Sequence, residues 1–133
     1  MSQENVEIVR AIFEGFGRKD IEGVLKLVPH DFEFDFSRSR GPESGVFRGR
    51  ERIKRFLATL SESFSVIEPV ETEIIDAGEV IVRVGGFRAR GEASGVEVSA
   101  IGATVWTFSG DMPVSARLYQ TKAEALEAAG LSE

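Results

Sequence analysis

Cysteine is absent from the 133 residues and histidine occurs once. That excludes disulfides, thiolate metal sites and a cysteine nucleophile, and it leaves any metal to carboxylates, none of which cluster at ligand spacing. No cofactor and no metal are expected. Long apolar runs are also missing: nothing approaches the roughly 20 residues of a membrane span, and the first residues lack the basic segment and apolar stretch of a secretion signal. Positive charge is in deficit, with 22 acidic against 16 basic residues and a net charge of −6. Such a balance disfavours nucleic acid and anionic membrane as partners. Repeats and low-complexity linkers are lacking too, so residues 1–133 read as one cytoplasmic domain long enough to bury a core and a small ligand cavity.

What is present is ordered, with helices first and long strands last. Ser2 as N-cap and Glu4 in the first turn open a helix that runs to Gly17, with Val6, Val9, Phe13 and Phe16 on one stripe. Asp20 caps a second, shorter helix that buries Ile21, Val24, Leu25 and Val28 and is stopped by Pro29. Between Asp31 and Phe36 the period changes to two, so Phe32, Phe34 and Phe36 share one face and Glu33 and Asp35 the other. A loop from Ser37 to Gly45 leads through Val46 and Phe47 to a third helix that buries Ile53, Phe56, Leu57, Leu60 and Phe64. Strands are predicted over Val66–Asp76, Val80–Arg90, Val96–Phe108 and Val114–Gln120. Thr121 to Glu124 has the form of a capping box, opening a last helix that stops at Gly130.

The order and spacing of these segments carry a resemblance over nearly the whole chain. They run from Asn5-Val6-Glu7-Ile8-Val9-Arg10 through Phe47-Arg48-Gly49-Arg50-Glu51 to the runs around Trp106 and Leu126. The chain resembles the SnoaL-like polyketide cyclase branch of the nuclear transport factor 2-like superfamily. The resemblance implies an α+β cone: a strongly bent, mixed but mainly antiparallel sheet, N-terminal helices on its concave face, and a short C-terminal helix. It does not choose an activity, because isomerases, cyclases and dehydratases share this fold with binding proteins.

In the ketosteroid isomerase relatives a carboxylate base removes a proton beside a carbonyl, while acidic donors hold the enolate oxygen. Laid along that pattern, this chain has Phe36 at the base position, Ile12 at the tyrosine position and Thr104 at the aspartic acid position. The isomerase set is therefore not carried over. The remaining catalytic candidates are Asp35, which a one-residue bulge would turn inward, Thr104 and Tyr119. His30, between Pro29 and Asp31, reads as a solvated junction residue rather than a proton shuttle.

Arg38, Arg40, Arg48, Arg50, Arg52 and Arg55, with Lys54, read as a solvated face rather than an oxyanion site. Arg83 differs, because it interrupts a strand that is apolar on both faces and must find water, an acid or a ligand anion. A ligand wall is expected from Phe13, Phe16, Phe34, Phe36, Phe56, Arg83, Thr104 and Trp106.

Three functions follow as expectations. The leading one is binding of a small hydrophobic molecule in an apolar cavity. The others are isomerase, cyclase or dehydratase chemistry on a polyketide-like or steroid-like ketone, and a protein-interaction module. Hydrated carboxylates would mark the enzyme, a dry aromatic wall the binder, and a filled interior the interaction module. Val80, Val82 and Val84 oppose Ile81 and Phe87, while Ile101, Ala103 and Val105 oppose Trp106 and Phe108, so the outer sheet face is apolar and a homodimer packed through it is expected.

Overall fold

Two helices whose apolar stripes have nothing local to pack on, Ser2–Gly17 (α1) and Ile21–Leu25 (α2), open the chain. The short strands Glu33–Asp35 (β1) and Val46–Arg48 (β2) follow, then helix Arg50–Ser63 (α3). Four longer strands come next, Phe64–Asp76 (β3), Val80–Gly91 (β4), Glu97–Ser109 (β5) and Met112–Tyr119 (β6), and helix Lys122–Ala128 (α4) completes the fold. The computed structural model describes residues 2–39 and 44–131. Arg40 and the middle of the 37–45 loop lie outside the described residues.

All six strands form one sheet in the order β2-β1-β6-β5-β4-β3. Every neighbouring pair is antiparallel except β1 with β6, which is parallel. Pro113 sits in β6 where β1 has not yet joined, and so its missing N–H costs no ladder bond on that side. α1, α2 and α3 bury Val9, Phe13, Val24, Ile53 and Phe56 against Ile81, Trp106 and Phe108 on the concave face.

Capping follows the sequence at α2 and α4, whereas Ser2, expected as the N-cap of α1, is the first residue of that helix. The Asp20 carboxylate accepts from Gly23 N at 3.0 Å, and Thr121 Oγ1 accepts from Glu124 N at 3.1 Å. The return bond of the capping box goes one residue further out than expected, from Gln120 N to Glu124 Oε1 at 3.1 Å. Phe64 corrects the third helix: it is extended, with φ −127° and ψ 130°, and pairs with Gly91 as the first residue of β3. Ladder pairing outweighs helix periodicity at that junction.

The outer sheet face is covered in part by the chain itself. Ala125 of α4 is fully buried there with Val82, Ala103, Val105 and Tyr119, and Leu126 and Leu131 pack beside them. Beyond this cover, Val66 and Ile101 remain about half exposed, at 52% and 48%. At the other end, Asn5 of α1 is 2% exposed and donates through Nδ2 to the Gly78 and Gly110 carbonyls at 3.2 and 3.1 Å. One amide thereby ties the first helix to the β3–β4 and β5–β6 turns.

Candidate ligand site

Rings from six elements meet over the concave face. Phe13 of α1 lies 5.9 Å from Trp106 of β5, and Phe34 of β1 lies 6.4 Å from the same indole. Phe36 and Phe56 stand 5.2 Å apart and each contacts Phe34. Phe16 joins through Phe87, at 4.7 Å. Phe32, Phe47 and Phe87 also belong to this layer, although the sequence reading did not place them in the ligand wall. Phe32 could have been found, because it shares the alternation of Phe34 and Phe36. The rings touch one another directly, while Phe34, Phe36 and Phe47 at the β1–β2 end are only half buried.

Thr104 and Trp106 share the concave face of β5, both buried, as their spacing of two requires. Trp106 Nε1 donates to Thr104 Oγ1 at 2.9 Å, which gives the buried indole N–H its acceptor.

Arg83 stands directly opposite Thr104 in the β4–β5 ladder and is 3% exposed. Its guanidinium lies 3.7 Å from the centre of the Phe13 ring, and Nη2 donates to the Val70 carbonyl at 3.1 Å. Glu71 Oε1 is 3.5 Å from Arg83 Nε, an ion pair that leaves Nε without a hydrogen bond. Both Glu71 oxygens instead accept from Arg10 of α1, the shortest bond being 2.9 Å. Burial pushes the Arg83 guanidinium below its ordinary pKa, Glu71 offsets this in part, and Arg10 adds to the lowering.

Glu71 reaches this face through a bulge. The ladder pairs Glu73 with Val84 and Glu71 with Gly85, leaving Thr72 extra in β3. Counting by twos from Ile74, which opposes Arg83, would have sent Glu71 outward. Arg10 and Glu71 were missed for that reason: one lies on the flank of an amphipathic helix, and the other faces inward only because of the bulge.

Asp35 and Tyr119 stand apart from Thr104. β1 pairs with β2 and β6 without a register shift, so Asp35 is level with Arg117 and faces away from Phe34. Its Oδ1 accepts from Ser37 Oγ at 2.6 Å and Ser37 N at 3.0 Å, and Arg38 approaches Oδ2 at 3.4 Å. Burial works against this carboxylate, yet the Ser37 donors and Arg38 outweigh it and hold its pKa below the usual value. Arg38 also lies 4.7 Å from the centre of the Tyr119 ring, so it links Asp35 and Tyr119 on the outer face. An open cleft of about 530 Å³ lies between Arg38, Tyr119, Gln120 and Glu124.

His30 is exposed. Arg48, Arg52 and Arg55 are exposed, Lys54 pairs with Glu22 at 3.5 Å, and Arg50 Nη2 donates to the Val28 carbonyl at 2.7 Å. Among the described residues, no three His, Cys, Asp or Glu side chains are grouped as metal ligands, and no helix is long and apolar enough to cross a membrane.

The SnoaL-like domain family matches residues 9–115. The chain belongs to that family. No curated protein matches the sequence. Among solved structures, a nuclear transport factor 2-like protein of unknown function from Burkholderia pseudomallei is 25% identical with a TM-score of 0.76, over 96% of this chain and 97% of that one. A putative SnoaL-like polyketide cyclase from Shewanella denitrificans is 15% identical with a TM-score of 0.74, over 93% and 97%. A Mycobacterium tuberculosis protein in complex with estradiol-17β-hemisuccinate is 14% identical with a TM-score of 0.75, over 90% and 95%.

Proposed function

We propose that this SnoaL-like domain is a binding protein for a small hydrophobic molecule on its concave face. The observation that carries this is the continuous ring layer from Phe36 and Phe56 through Phe34 to Trp106 and Phe13, half buried at one end and holding the Thr104 hydroxyl beside the indole. Because the rings are in contact, a ligand enters by parting Phe34, Phe36 and Phe47 and replacing their mutual contacts with its own. Its wall is then Phe13, Phe16, Phe34, Phe36, Phe56, Thr104 and Trp106, with Arg83 at its far side. The steroid ester bound by the Mycobacterium tuberculosis relative supports an apolar ligand of a few rings.

Enzyme chemistry is the weaker reading. Phe36, Ile12 and Thr104 occupy the positions of base and donors, and Asp35 is turned away and ion-paired. A packed interior with Val66 and Ile101 uncovered outside favours a second role, a homodimer joined through the outer sheet face. The chain then acts as one domain over residues 1–133 in the cytoplasm, a compartment with which its cysteine-free composition is compatible.

The test is titration of Trp106 emission with rigid apolar molecules of two to four rings. A saturable change that is lost in Trp106→Ala, with the fold kept, is expected. Absence of any saturable change across the panel, with a stable dimer, would leave the interaction module as the function.

A further inference from the structure

Arg83 is a cation in a place that makes cations expensive, and its partners inside the protein are incomplete. Nη2 has the Val70 carbonyl and the guanidinium face has Phe13, but Nε–H has no acceptor. The nearest carboxylate, Glu71, stands 3.5 Å from Nε and makes its hydrogen bonds to Arg10. Arg10, Glu71 and Arg83 sum to one positive charge, and Glu7 and Glu14 act on the exposed Arg10 alone, which leaves Arg83 as the buried cation. On the next strand, directly opposite Arg83, Thr104 Oγ1 already accepts the Trp106 N–H. The hydroxyl keeps its own proton to donate. Arg83 and Thr104 are cross-strand partners, a relation that places Cβ atoms about 5 Å apart on one face.

We infer that the molecule bound on the concave face is a monoanionic carboxylate on a ring body, with its oxygens held by Arg83 Nε and the Thr104 hydroxyl. The inference rests on the binding reading above and narrows its ligand class. A monoanion matches both the single excess charge and the two free donors, and it forms charge-assisted bonds that a ketone or alcohol does not. A dianion such as a phosphate monoester would bring a second charge into apolar surroundings with no donor to meet it. The ring body lies against Trp106 and takes the place of its contact with Phe34. Glu71 is the internal competitor: its carboxylate must yield toward Arg10, where its better bonds already lie.

Biphenyl-4-carboxylate and its neutral counterpart 4-(hydroxymethyl)biphenyl test this by calorimetric titration of the wild-type protein and two variants. The acid is expected to bind about ten- to hundredfold more tightly than the alcohol, as charge-assisted bonds to a buried cation imply. Arg83→Met keeps the apolar stem and should abolish that preference, acid and alcohol then binding alike. Glu71→Gln removes the competing charge at constant shape and should tighten acid binding several-fold. It also decides the matter if Arg83→Met does not fold. Equal binding of acid and alcohol to the wild type would overturn the anion assignment alone, as would a preference that survives Arg83→Met or acid binding that Glu71→Gln leaves unchanged or weakens. If neither probe binds at about 1 mM, where even a weak site would fill, the binding reading falls and this inference falls with it.

Discussion

Gly85 stands opposite Glu71 in the β3–β4 ladder, and a Cβ at Gly85 would lie 2.0 Å from the Val70 carbonyl oxygen. The missing side chain lets β3 close over β4 at the bulge. That closure turns Glu71 inward and aims the Val70 carbonyl at Arg83. A backbone feature thus arranges the charged end of the site.

Gly85→Ala should consequently be among the most damaging small substitutions in the sheet. Its φ of +150° disfavours any side chain, and the clash is with backbone, which cannot rotate away. A loss of about 3 kcal/mol is expected, with a fall in Tm on the order of 10 °C. Urea unfolding of the variant checks it, and a change below the error of that measurement would show that the bulge relaxes freely.

Asn5→Ala should cost about 2 kcal/mol, because it removes a buried amide that donates to two turn carbonyls. Asn5→Asp should be worse at neutral pH despite its matching shape, since a carboxylate would then face those carbonyls. Amide exchange at the 76–79 and 109–112 turns should quicken in both.

Trp106 emission should be blue-shifted and poorly quenched by iodide, the indole being 2% exposed. Thr104→Val should destabilise by about 1–3 kcal/mol because it leaves the indole N–H unpaired in apolar surroundings. In a Trp106→Phe background the same substitution should cost much less, and a double-mutant cycle reads that coupling. Full additivity would mean that the hydrogen bond contributes nothing.

Asp35 predicts a pH dependence of defined sign. Its folded pKa is lowered, so the ionised carboxylate stabilises the fold above the unfolded value, about 3.9 for an aspartic acid, and that contribution disappears as pH falls through the folded value. Asp35→Asn should therefore be less stable than the wild type at pH 7, with the gap closing in acid. Binding of ligands on the concave face should be unaffected, and steroid isomerisation should stay at background in both proteins. A binding defect in Asp35→Asn would place this side chain at the site after all.

Light scattering at micromolar concentration should return a dimer mass, with an interface above about 1,000 Å² in total. Val66→Glu or Ile101→Glu should shift it toward monomer, as a charge in an apolar contact does. A monomer mass for the wild type would mean that α4 alone suffices as the cover.

Local chemistry determined most of the elements. A period of 3.6 in α1 and α3 and of two from Phe32 to Phe36 fixes which residues face the core, and the caps at Asp20 and Thr121 fix where helices begin. Those signals act over a few residues, which is why Trp106, Thr104 and the phenylalanines were legible as one surface before their contacts were. The charged part of the site was decided only in three dimensions. Whether Glu71 turns inward depends on Thr72 being extra in a ladder whose partner is Gly85, a relation between residues 14 apart in sequence. Alternation carries no record of a bulge. Likewise Phe64 reads as helix by spacing and becomes strand because Gly91 pairs with it, and the outer valines are half covered because α4 folds back on them. Pattern specifies which face a residue presents, whereas pairing and packing between distant segments determine what meets it there.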